Sequence, residues 1–121
     1  MRKMLGAILG LTLAVAASPG FAADIGNLSG QSCGDFSGTW HFVNNQSGTT
    51  TPGTLTATWS SGESCVNVAP VKVTPNGTQH FYCQASGTLT GASTTLSGKL
   101  VLSDFACQTK CDPKTDPKCG Q

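Results

Sequence analysis

The chain has 121 residues, six of them cysteine, with 38% hydrophobic and only 11% charged residues and a formal net charge of +1. That length allows one domain with a modest core. Arg2 is the only arginine, and so balanced a charge argues against a nucleic-acid partner, because phosphate is bound through basic, arginine-rich patches.

Met1 to Met4 form a short basic head, and Leu5 to Ala17 follow as an apolar run broken only by Gly6, Gly10 and Thr12. Ser18 to Ala23 then break the helix and offer small residues for cleavage, so 1–23 is expected to be a signal peptide of bacterial type. The run is too short to span ~30 Å of hydrocarbon. No later run approaches that length, so no membrane insertion of the mature chain is expected. Gln31 and Ser32 separate the lipoprotein-like Leu28-Ser29-Gly30 from Cys33, which argues against lipid anchoring. Without the leader, five lysines face six acids, for a formal charge of −1. Sequons at Asn27, Asn45 and Asn76 carry no meaning in a bacterial setting. The expected location is periplasmic or extracellular.

Residues 24–106 read as an all-β domain, because threonine and glycine are frequent and apolar residues recur with period two between turn signals. Phe36, Gly38, Trp40 and Phe42 share one face of a first strand over 36–44. After a polar loop, 44–53, Leu55, Ala57 and Trp59 share one face of a second over 54–60. Pairing Trp40 with Trp59 makes these faces coincide. Val66 and Val68, then Val71 and Val73, lie on opposite parities around Pro70, which predicts a bulge or an edge break. Pro75-Asn76-Gly77 is a turn signal. Phe81, Cys83, Ala85 and Leu89 then alternate along a fourth strand, and Leu96, Leu100 and Leu102 along a fifth. Pairing Leu89 with Leu96 closes a last hairpin. The expected fold is a small antiparallel meander of five to six strands, forming a compact barrel or sandwich stapled by disulfides. Trp40, Phe42, Leu55, Trp59, Val71, Val73, Phe81, Leu89, Leu96, Leu100 and Leu102 are its expected core.

Gly38-Thr39-Trp40, within Phe36 to Trp40, resembles the Gly-x-Trp first strand of the calycins, the lipocalin and avidin type. The resemblance covers about five residues and implies an eight-stranded barrel around a ligand cavity.

An even set of cysteines in an exported chain points to disulfides. Cys33, Cys65, Cys83, Cys107, Cys111 and Cys119 allow ~15 pairings. The strand register suggests Cys33–Cys65, Cys83–Cys107 and Cys111–Cys119, with Cys111 the alternative to Cys107. Residues 107–121 form a tail rich in cysteine, proline and lysine. No Cys-x2-Cys knuckle occurs, so neither a metal nor another cofactor is expected.

His41 and His80 lie on the strand faces opposite the apolar ones, and Tyr82 is the aromatic expected at the surface. With Asn45 and Gln46 of the polar loop they are the candidate binding residues. Trp40 and Trp59 are assigned to the core. No Gly-x-Ser-x-Gly elbow is present, and the single glutamate, Glu63, sits in a turn, so no catalytic residue is assigned. The expected function is non-catalytic binding of a protein or a glycan. A structural or accessory envelope role and a small secreted hydrolase are the alternatives.

Overall fold

The computed structural model describes residues 22–108. Residues 1–21 of the expected signal peptide, and the tail from 109 with Cys111 and Cys119, lie outside the described residues. Eight strands are present: β1 Ala23–Asp24, β2 Gly38–Asn45, β3 Leu55–Trp59, β4 Ser64–Val68, β5 Lys72–Val73, β6 Gln79–Ala85, β7 Leu89–Thr94 and β8 Lys99–Cys107. There is no helix among the described residues. The strands form two four-stranded antiparallel sheets, ordered β1-β7-β3-β4 and β5-β6-β2-β8, and not a closed barrel.

The expected meander does not form. Only β3–β4 and β5–β6 are hairpins, and every other connection crosses from one sheet to the other. Trp40 and Trp59 therefore do not pair in a ladder. They lie in opposite sheets and meet edge to face, with ring centroids 5.5 Å apart. The expected Leu89–Leu96 hairpin is absent too: β7 ends at Thr94, and β8 pairs with β2 instead. The physical reason is common to both. Period two fixes which side chains share a face, but two half-apolar strands bury each other equally well side by side or face to face.

The core fills the space between the sheets. Trp40, Phe42, Leu55, Phe81 and Leu100 are fully buried, with Trp59, Leu89, Leu96 and Leu102 nearly so. Trp40 sits at the centre, stacked on Phe105 at 4.5 Å, with its indole N–H donating to the Ala85 carbonyl at 3.0 Å. Two expected core members are corrected. Val71 is 65% exposed, and Val73 is only half-buried. Pro70 precedes a β5 that pairs over two residues only, so this edge turns away from the core. Phe36 likewise precedes β2 and is exposed.

A bulge in β8 sets the addresses of its second half. His41 opposes Asp104 and Phe42 opposes Leu102, which leaves Ser103 as the extra residue. Leu100 and Leu102 point inward before it. After it, Phe105 and Cys107 do so, and Asp104 turns outward.

The disulfide map also differs from expectation. Cys33 bonds Cys107 and Cys65 bonds Cys83, with Cα–Cα distances of 5.3 and 6.3 Å. The first ties the segment before β2 to the end of β8. The second joins β4 to β6 across the two sheets. Cys33 and Cys65 were expected together because β2 and β3 were expected to pair, and they do not. A Cβ at Gly38 would collide with Cys33 Sγ, so glycine is required for the first bridge to lie against β2.

The segment leading into β2 closes one side of the sandwich. Ile25 bridges Leu100 in parallel, and Asn27 donates to the Leu102 carbonyl while accepting from the Leu102 N–H, both at 2.9 Å. This satisfies backbone groups on the β8 edge that would otherwise be free to pair with another chain. One end of the sandwich is polar inside. Gln79, fully buried, accepts from Gly53 N–H at 3.0 Å and donates to the Thr51 carbonyl at 2.9 Å. Asn44 donates to the Ser97 carbonyl at 2.9 Å, and Ser47 to the Gly77 carbonyl at 2.8 Å. The loop after β2 is thus fastened to the body.

Leu100→Ala should lower stability by roughly 2–5 kcal/mol in urea unfolding, because the residue is fully buried and its neighbours are locked in two sheets. Non-reducing peptide mapping should recover Cys33 linked to Cys107 and Cys65 linked to Cys83. Removing the long-loop bridge by Cys33→Ser with Cys107→Ser should cost ~2–5 kcal/mol.

Candidate functional site

The outer face of the β5-β6-β2-β8 sheet gathers most of the chemistry that the described residues offer. Register places three cross-strand rows there: Lys72, His80, Val43 and Val101; then Tyr82, His41 and Asp104; then Gln84, Thr39 and Ala106. Inward and outward positions alternate along β2, so Trp40 and Phe42 in the core dictate that Thr39, His41 and Val43 face out.

The middle row carries the closest geometry. The His41 and Tyr82 rings stack, with centroids 4.5 Å apart and planes within 8°. His41 Nε2 and His80 Nδ1 are 3.0 Å apart, and their ring centroids 5.2 Å apart. The centroid distance is close to the contact distance plus two ring radii, so the rings meet edge to edge through a hydrogen bond. On its other side, His41 Nδ1 lies 3.4 Å from the Asp104 carboxylate. A neutral imidazole carries one N–H, and the carboxylate favours it on Nδ1. His41 Nε2 is then the acceptor and His80 Nδ1–H the donor, which orders the relay from His80 through His41 to Asp104. Burial holds His80 below the ordinary imidazole value, and the nearby charges of His41 and Lys72 add to this. In the next row, Gln84 donates to the Thr39 hydroxyl at 2.8 Å.

Of the residues expected to bind, His41, His80 and Tyr82 are thus brought together. Asn45 belongs to the same face, about 13 Å further along β2 from His41. Its side chain accepts from the Thr78 hydroxyl at 3.3 Å. Gln46 lies beyond the strand end, exposed and with φ of 62°. Asp104, Lys72, Thr39 and Gln84 were not singled out as binding residues. The missing signal for Asp104 is a parity conflict: a charged residue two positions after Leu102 stands where an inward side chain is due, and the bulge relieves the conflict.

Tyr82 is 46% exposed. The β5 ladder ends at His80, so no paired residue flanks Tyr82 on the side away from His41. The surface here is open, and no cleft forms among the described residues. No three His, Cys, Asp or Glu side chains converge on a common point among the described residues. The chemistry available is proton sharing, hydrogen bonding and aromatic stacking.

Glu63 stands apart from this face. It turns the β3–β4 hairpin and accepts from the Ser86 N–H at 2.6 Å and the Ser86 hydroxyl at 2.8 Å. These two bonds, backbone first, lower its carboxyl below the ordinary value, and the Ser61 hydroxyl adds to them. Its work is to tie the β3–β4 turn to the crossing between β6 and β7.

A carboxyl lowered by folding stabilises the protein above its ordinary value, here 4.5, and that stability is lost as pH falls through the lowered folded value. Glu63→Gln should therefore flatten the fall of melting temperature with pH in that acidic window. His80 works at higher pH. Its lowered value means that the unfolded chain binds a proton first, so stability is full above the ordinary value of 6.5 and declines as pH falls below it. Thermal melts across both windows check the two slopes.

Comparison of the chain with protein-family models, with curated proteins and with solved structures finds no match.

Proposed function

We propose that this chain is an exported, non-catalytic binding module of the bacterial cell envelope or the extracellular space, and that it recognises a glycan through the outer face of the β5-β6-β2-β8 sheet. The observation that carries the reading is the half-exposed Tyr82 ring, held upright by its stack on His41 and bordered by hydrogen-bonding groups on three strands. An aromatic face packs against the apolar face of a sugar ring, and neighbouring carboxylate, amide and imidazole groups bond its hydroxyls. Asp104 and Gln84 are placed to do so. A protein interface of stable size wants an apolar, fully desolvated centre. The register neighbours of Tyr82 are polar instead: His41 beside it with Asp104 beyond, and Gln84 and Thr39 in the next row. Asn45 and Gln46 form a rim further along the face.

The two intramolecular disulfides fit an oxidising, exported environment. The signal-type leader supports the same destination. A rigid face on a cross-linked sandwich suits binding, because little ordering is left to pay for when a ligand arrives.

A glycan array on the oxidised mature protein should show saturable binding. Tyr82→Ala should weaken it about tenfold, ~1.4 kcal/mol, with no change in melting temperature beyond a few degrees. Polymerisation without glycan binding would instead favour a structural envelope role. Retained glycan binding in the Tyr82 variant would move the site off this face.

A further inference from the structure

The His41–His80 contact does more than fill space on that face. A hydrogen bond between two imidazole nitrogens needs one of them to be an unprotonated acceptor. At neutral pH this condition holds, and the bond keeps His41 in its stack against Tyr82. A first added proton is also accommodated. His41 can then donate from both nitrogens, to Asp104 on one side and to a neutral His80 on the other. A second proton leaves two donors facing each other 3.0 Å apart, and both rings are then cations. That arrangement cannot persist.

We propose that the His41–His80 pair is a proton-operated switch on the Tyr82 face: it holds the stacking platform in place at neutral pH and releases it when both rings are protonated in acid. This deepens the glycan-binding reading above and rests on it for its consequence, though not for its geometry.

Among the described residues, three groups face the pair. Lys72 on β5 is the row partner of His80, Tyr82 on β6 is the stacking partner of His41, and Asp104 on β8 is its carboxylate. The charge of Lys72 discourages a proton on His80. Because the sites interact, they titrate as a pair and not as two independent histidines. His80 is only half-buried and His41 has an exposed carboxylate beside it, 74% accessible, so protons reach both from solvent. His80 is the residue that must take the second proton. Burial and its charged neighbours hold it below the ordinary imidazole range, which puts the release at acidic and not neutral pH. The rings stand on the side of β2 opposite the buried Trp40 and Phe42, so freeing them leaves the core intact.

The sequence makes the test clean, because Tyr82 is the only tyrosine in the chain. Biosynthetic fluorotyrosine gives one fluorine NMR signal at the platform. The oxidised mature protein is titrated from about pH 7.5 to about pH 4.5, bracketing the imidazole range. The signal should move in the lower part of that range. His80→Gln keeps a hydrogen-bonding amide opposite His41 but cannot take the second proton, so its signal should stay nearly still there. In parallel, an immobilised glycan hit is bound at both ends of the range. Wild type should bind on the order of tenfold more weakly in acid, the change produced by one unit of difference in the pair's titration between free and bound protein. The His80→Gln variant should bind equally at both.

A fluorine signal that is flat in wild type, or that moves equally in His80→Gln, overturns the switch. Glycan binding that is equal at both ends, with a flat signal, overturns the switch and leaves the docking reading standing. A moving signal with no glycan bound at either end sinks the docking reading and leaves the switch standing.

Discussion

One extra residue in β8 governs both faces of the sheet it belongs to. With Ser103 bulged out, Phe105 turns inward to stack on Trp40 at 4.5 Å, and Cys107 turns inward to meet Cys33. The same shift turns Asp104 outward, to within 3.4 Å of His41. In an unbroken strand the parity of Leu100 and Leu102 would carry Asp104 into the core and Phe105 into solvent. Burying a carboxylate without a partner costs several kcal/mol, and an exposed phenylalanine forfeits roughly 1.5–3 kcal/mol of transfer energy. The bulge avoids both, and in doing so it builds the relay on the outer face.

The rest of the body follows from how few residues must bury two apolar faces. The connections run from sheet to sheet except at two hairpins, so almost every strand is held by partners distant in sequence. Such a topology leaves edges, and two of them are visibly covered. The β8 edge is covered by the segment around Asn27, and the β4 side is bridged by Cys65–Cys83 and by Glu63 reaching Ser86. The two disulfides close loops of 74 and 18 residues, and the longer one removes more freedom from the unfolded chain. Trp40 stands where these constraints meet, touching Trp59 in the other sheet and Phe105 in its own. Its N–H is satisfied by Ala85, whereas Trp59 Nε1 is buried with no hydrogen-bond partner among the described residues.

The outer face inherits its order from that core. Trp40 and Phe42 are locked in the core, so the backbone of His41 between them is held in place, and Phe81 and Cys83 hold the backbone of Tyr82 in the same way. The stack and the imidazole pair are therefore supported from below by the best-packed part of the molecule. That support is what a binding face on a small domain requires, since a side chain held in one rotamer loses little freedom when it meets a ligand.

Period-two alternation was enough to establish an all-β chain, and it identified Trp40, Phe42, Leu55, Trp59, Phe81, Leu89, Leu96, Leu100 and Leu102 as core. It also set His41, His80 and Tyr82 on faces away from that core, and the even cysteine set foretold disulfides. These properties are local: alternation is written residue by residue and survives any arrangement of neighbours. Pairing is not local. Whether β2 lies beside β3 or across from it depends on total burial over the whole chain, and so the meander, the Trp40–Trp59 ladder and the bridges Cys33–Cys65 and Cys83–Cys107 were misplaced. Val71 and Val73 failed for a related reason, since a two-residue edge strand has no sheet behind it to bury them. The meeting of His41 with His80 needed β2 beside β6, and that of His41 with Asp104 needed a bulge in β8. Both were decided only when the two sheets closed on one core.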